Sequence, residues 1–186
     1  MSAYIRPSRS GSSLFFTVRL LDRNSNLLVQ EIERLRHAMR KTRAAFPFEI
    51  DEIVVLPSVI HTIWTLPVND QAFGKRWRML KSDFSRGLPT APNRSASALK
   101  RREKGIWQRR FWEHHLRDCD DIDAHRHMIL MAPVQAGLVA RPQDWPHSSV
   151  HRAIRLGHFD PKMKAGAFYA PLPRAQSRPL YHAAPS

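Results

Sequence analysis

Apolar residues along this chain repeat first at a strand period and then at a helix period, and the switches mark its elements. Ser13 to Leu21 is dense in aromatic and branched residues and predicts a first strand. Asn24 or Asn26 can cap a following helix, in which Leu28, Ile32, Leu35 and Met39 recur at spacings of four, three and four. Glu31 and Glu33 lie early in that helix and Arg40, Lys41 and Arg43 late, the polarity its dipole favours. Phe48 to Leu56 and Ile60 to Leu66 predict two strands joined by a Pro57-Ser58 turn. From Asp70 to Arg86, the residues Phe73, Trp77, Leu80 and Phe84 form one narrow helical stripe, with Lys75, Arg78 and Arg86 on the opposite side.

The second half is less regular. Residues 87–105 hold few apolar positions, two prolines and the run Lys100-Arg101-Arg102, which predicts a mobile basic linker. Ile106 to Leu116 predicts a fourth strand, and Asp120 to Met131 a helix ending before Pro133. A last helix is expected after Asp144-Trp145-Pro146, stopping at Gly157. The order of elements is that of an α+β, ferredoxin-like split βαβ fold, with an antiparallel four-stranded sheet packed by helices. The expected domain spans 13–158, between a flexible basic arm over 1–12 and a disordered tail over 159–186.

Charge points to a polyanionic partner. Thirty Lys and Arg against sixteen Asp and Glu give a net charge of +14 and a pI near 11.1, the footprint of a nucleic-acid binder. Phosphate neutralisation releases condensed counterions, so such a surface gains affinity without reading any base. The run LFFTVRLL is broken by Arg19 and is too short to span a bilayer, so no membrane partner is expected. The lone Cys119 cannot form an internal disulfide, in keeping with a cytoplasmic location.

Two segments carry the chemistry: LPSVIHTIWTLP at 56–67, and GIWQRRFWEHHLRD at 105–118 followed by APVQAGLVARPQDWPHSSVHRA at 132–153. Together they make the chain resemble the REP-associated tyrosine transposases, a branch of the IS200-like single-strand DNA transposases, over about residues 1 to 160. The resemblance implies the ferredoxin-like fold, binding of imperfect palindromic hairpins, and cutting and rejoining of single strands during DNA transposition. It also implies a His-hydrophobic-His pair on a strand, whose imidazoles share one face and hold Mg²⁺ or Mn²⁺. The matching positions here are Val59 and His61. The family's nucleophilic tyrosine, in a pattern like H-x-x-Y-I-H-x-N-P-V, falls on Met128 within HRHMILMAPV, and its polar metal-site residue on Ala132. A thioether has no proton to lose and cannot form a phosphodiester link. The expectation is therefore a family member with no intact catalytic residue, His61 as the only residual metal ligand, and no cofactor.

The DNA-contact equipment is expected to survive. Arg109 and Arg110 next to Trp107 combine guanidinium groups with a ring for unstacked bases. Strand alternation places at least one tryptophan inside, and Trp112 is expected there. Lys75, Arg78 and Arg86, the linker residues Arg101 and Arg102, and Arg6 and Arg9 in the arm complete the expected DNA-binding set. His125 and His127, two apart on a helix, point in different directions and are expected to be ordinary histidines. His114, His115, Asp118, Gly137 and Asp144-Trp145-Pro146 match the family frame as fold-keeping residues. Two alternatives stay open: an active enzyme with a relocated nucleophile, for which Tyr4, Tyr169 and Tyr181 are the tyrosines available, and a non-catalytic module for RNA or protein.

Overall fold

The structure, a computed structural model, describes residues 12–92 and 94–162. The expectations for the arm, with Tyr4, Arg6 and Arg9, and for most of the tail, with Tyr169 and Tyr181, lie outside the described residues. Four strands, β1 (Ser13–Arg19), β2 (Glu49–Val55), β3 (Val59–Thr65) and β4 (Trp112–His115), form one antiparallel sheet in the order β2-β3-β1-β4. That is the split βαβ order predicted from the periodicity.

Alternation along β1 separates two cores. Leu14, Phe16 and Val18 face α2 (Ile32–Ala45) and α3 (Phe73–Ser85), joining Leu35, Met39, Trp64, Trp77, Leu80 and Phe84. Phe15 faces the other way, into a smaller cluster with Val54, Leu56, Val59, Ile63, Ile129 and Ala132. The last two belong to α5 (Cys119–Gln135), which covers this second face of the sheet. Trp64 and Trp77 stack with ring centroids 4.3 Å apart and have no exposed surface, so the first core has the larger aromatic content.

Several elements differ from expectation. The first helix divides at Glu31, giving α1 (Leu27–Gln30) and α2. The predicted linker holds α4 (Ala96–Lys100), capped by the Ser95 side chain, and is tied back by Lys104, whose ammonium donates to the carbonyls of Ser85 and Leu88. The fourth strand shrinks to four residues, with Trp107 reaching β1 only through an isolated bridge to Leu20.

Helix α5 does not stop before Pro133 but runs through it. Proline lacks the N–H that would bond the carbonyl of Ile129. The helix closes a turn later, where Gly137 (φ 69°) lets its own N–H reach Val134 O and that of Leu138 reach Pro133 O. A short 3₁₀ turn (Pro142–Asp144) and α6 (Val150–Arg155) follow, and Gly157 (φ 70°) ends α6 as expected. Helix α6 is drawn to β2 by Glu52, which is buried, accepts from Ser149 Oγ, and lies 3.8 Å from Arg152, with Arg126 of α5 3.3 Å away. Burial raises the Glu52 carboxyl above its ordinary range, against the pull of Ser149 and the two guanidinium groups.

Candidate nucleic-acid interface

Residues directly opposite one another in an antiparallel sheet share a face, so the register fixes what meets beneath α5. Val59 lies opposite Arg19, His61 opposite Thr17, and Ile63 opposite Phe15. On the other side of β1, Trp112 lies opposite Thr17 and His114 opposite Phe15. One sheet face thus carries His61, Thr17 and Trp112 in a row, with Arg19 and Val59 in the row beside it.

His61 and the positions that should help it do not make a cation site. Thr17 Oγ1 lies 2.9 Å from His61 Nδ1. Burial, reinforced by the neighbouring Arg19 guanidinium, pushes His61 down to about 4, so it is neutral at physiological pH. Val59 and Ala132 are both buried, in the apolar cluster that holds Phe15 and Ile63. Met128 is half-buried against the same cluster. One neutral imidazole beside a cation, with a valine and an alanine in place of donors, does not fit a hard divalent ion, which needs several oxygen or imidazole ligands.

Beside this row sits a polar cluster that the sequence reading treated only as frame. The Asp121 carboxylate accepts from His114 Nε2 at 2.8 Å, from the Arg117 N–H at 3.1 Å, and lies 3.0 Å from His125 Nδ1. Burial would raise this carboxyl, but the His114 hydrogen bond, the Arg117 N–H and the two nearby imidazoles outweigh it and hold it below its ordinary value. Donor atoms of these three residues lie within 4.8 Å of one another, the one such group of three among the described residues. Its hydrogen bonds are internal: His125 Nδ1 also lies 2.8 Å from the Asp121 carbonyl, as in a helix-end network. His127 points elsewhere, toward Phe159, as the spacing of two implied. The signal for the cluster was present in His114 and the acidic run after Asp118, an N-cap whose side chain accepts from the Asp121 N–H.

The two tryptophans exchange their expected places. Trp107 is half-buried, packs edge-on against Phe84 with centroids 5.2 Å apart, and donates its indole N–H to Ser85 Oγ. Its ring packs against the first core. Trp112 is 40% exposed. β4 is an edge strand only four residues long, so Trp112, packed against Phe15, His114 and His125, stays partly open instead of being enclosed as alternation within a longer strand implied.

Lys75, Arg78 and Arg86 are exposed on α3, across the sheet from His61; Lys75 sits over Phe46 and Arg86 pairs with Asp83. Arg101 pairs with Glu103, whereas Arg102, Arg109 and Arg110 are exposed. Arg19, which the register places opposite Val59, has no place in the expected DNA-binding set and was read only as a break in an apolar run. Its strand position, two after Thr17, was the available signal.

An antiparallel sheet in the order β2-β3-β1-β4, with α2 and α3 on one face and α5 on the other, defines an α+β protein of split βαβ fold. Comparison bears this out. The chain is 42% identical over 159 residues to the REP-associated tyrosine transposase of Escherichia coli K12, covering 86% of this chain and 88% of that protein. It is 41% identical over 156 residues to a Haemophilus influenzae protein given the same family designation, covering 83% and 89% of the two chains. The solved structure of a REP-associated tyrosine transposase bound to a REP hairpin superposes with a TM-score of 0.74 at 37% identity, over 97% of this chain and all of the other. No protein-family model matches the chain. On these likenesses the chain belongs to the REP-associated tyrosine transposase family.

Proposed function

We propose that this protein binds hairpin or single-stranded DNA in the context of DNA transposition, without cutting it. The observation that carries the reading is the identity of the residues where α5 meets the sheet: a methionine at the nucleophile position, and a valine and an alanine buried in an apolar cluster at two metal positions. Each departs from the family pattern in the same direction, toward apolar surface. The hairpin bound by the family member of known structure supports DNA as the partner.

Phosphate contacts are assigned to Lys75, Arg78 and Arg86 on α3, to Arg101, Arg102, Arg109 and Arg110, and to Arg6 and Arg9. In this reading, affinity comes from cationic surface and needs no divalent ion. The cytoplasm is its proposed location. Among the described residues no helix is long and apolar enough to cross a membrane.

The test is a comparison of affinity for hairpin DNA, plain duplex DNA and structured RNA at two salt concentrations. Tighter binding to the hairpin at both concentrations is expected. Equal affinity for all three would reduce the protein to a nonspecific polyanion binder, and preference for RNA would favour a module with a new partner.

A further inference from the structure

Arg19 is a half-buried cation with no carboxylate partner among the described residues. The charged groups that act on it and on its neighbour increase the excess of positive charge: Arg23 lies close enough to disfavour its charge, and Arg19 in turn disfavours a proton on His61. A guanidinium kept partly out of water without a counter-ion is costly unless an anion completes it. Its place in the sheet is equally specific. Arg19 lies opposite Val59, where the family's first metal-binding histidine would stand, and shares a face with His61, Thr17 and Trp112.

We infer that Arg19, with His61 beside it, forms a phosphodiester-binding subsite in which a guanidinium does electrostatically what a divalent cation does in the family, and that Trp112 stacks the adjoining base of a single strand. This rests on the proposed DNA-binding function and adds the strand's path to it. By strand geometry the Cα atoms of Arg19 and Trp112 are about 8 Å apart, one strand over and two residues along, a span that one nucleotide bridges from phosphate to base. Trp112 lies parallel to His114 with centroids 5.7 Å apart, which orients the indole while leaving it 40% exposed. Thr17 Oγ1 lies 2.9 Å from His61 Nδ1, a contact that leaves Nε2 as the ring nitrogen open to a strand passing Arg19. Guanidinium–phosphate pairing and base–aromatic stacking together are the usual means of holding a single strand without reading its sequence.

The experiment is fluorescence anisotropy with a labelled DNA hairpin bearing mixed-sequence single-stranded flanks and with the same hairpin trimmed to its stem, in EDTA and in Mg²⁺. Arg19→Gln is expected to weaken binding of the flanked hairpin about tenfold and to lower the slope of log affinity against log salt by about one, with the trimmed hairpin unaffected. Arg19→Lys should restore the slope, Trp112→Ala should lose about tenfold on the flanked hairpin alone, and EDTA should change nothing. Wild-type affinity and slope in a folded Arg19→Gln protein, equal losses on both hairpins, or loss of the flank-dependent affinity in EDTA would overturn the subsite while leaving hairpin binding standing. Should Arg19→Gln fail to fold, Trp112→Ala at its exposed position decides: unchanged affinity for the flanked hairpin overturns the inference. Failure of the wild type to bind either hairpin removes the DNA-binding reading and the subsite together.

Discussion

Restoring the family residues, by Val59→His, Met128→Tyr and Ala132→Asn, tests whether the surface under α5 is an open cleft with altered residues or a packed core. Val59 and Ala132 are 7% and 6% exposed and touch Phe15, Ile63 and Ile129, so each new polar group loses water on entering. An unsatisfied buried donor or acceptor costs about 1–3 kcal/mol, and forcing an asparagine into space shaped for a methyl adds about 1–3 kcal/mol of overpacking. Met128→Tyr, at a half-buried position, should cost less. Neighbouring changes do not add strictly, so the triple variant should lose roughly 3–8 kcal/mol, a large share of the 5–15 kcal/mol that holds an ordinary domain. At about 2–4 °C per kcal/mol, its melting temperature should fall by roughly 6–32 °C. The assay is thermal and urea unfolding followed by circular dichroism, with calorimetric Mn²⁺ binding on whatever remains folded. Single variants should regain no strand cleavage, because metal and nucleophile act as one unit. A triple variant that melts within a few degrees of wild type and binds Mn²⁺ would refute the packed-core argument and show that the cleft had stayed open.

Two further outcomes follow from the ion pairs. Asp70 grips the buried Arg76 with both oxygens, at 2.9 and 2.6 Å, and the Arg76 hydrogen bonds, followed by that of the Ala72 N–H, hold its carboxyl at about 2. A depressed carboxylate stabilises the fold above its unfolded value of 3.8 and ceases to do so as pH falls through about 2. Asp70→Asn should therefore cost roughly 1–3 kcal/mol at neutral pH, with the difference from wild type closing between about pH 4 and pH 2; a difference that does not change across that window contradicts the pairing. Replacing Lys75, Arg78 and Arg86 together by Ala should flatten the salt dependence of hairpin binding by up to about three in slope, and an unchanged slope would remove that face of α3 from the interface.

The fold class was legible because the switches between strand and helix periods mark the order of the elements. The aromatic and branched run from Ser13, the stripe from Phe73 to Phe84 and the order of strands and helices suffice for the α+β, split βαβ class. The end of α5 was misread because a proline was weighed without its context: Pro133 breaks one hydrogen bond, but Gly137 four residues later supplies a complete helix stop. Of the site, the positions Val59, His61, Met128 and Ala132 were readable from their frames, and the structure brings Val59, Met128 and Ala132 to one cluster, with His61 two residues along β3 from Val59 on the same sheet face. What the chain pattern did not give was long-range pairing. Glu52 meets Ser149 across 97 residues, and Trp112 is open because its strand is short and lies at the edge of a sheet assembled from distant segments. Each depends on where distant elements dock, which periodicity does not encode.

The central claim, binding without cleavage, is tested most directly by incubating the protein with a flanked hairpin in Mg²⁺ and in Mn²⁺ and running the products on parallel native and denaturing gels. A native shift with intact DNA and no denaturant-resistant protein–DNA adduct is predicted, because Met128 cannot attack and Val59 cannot hold a metal. A covalent adduct, mapped by mass spectrometry to a phosphotyrosine, would contradict the account and establish a relocated nucleophile.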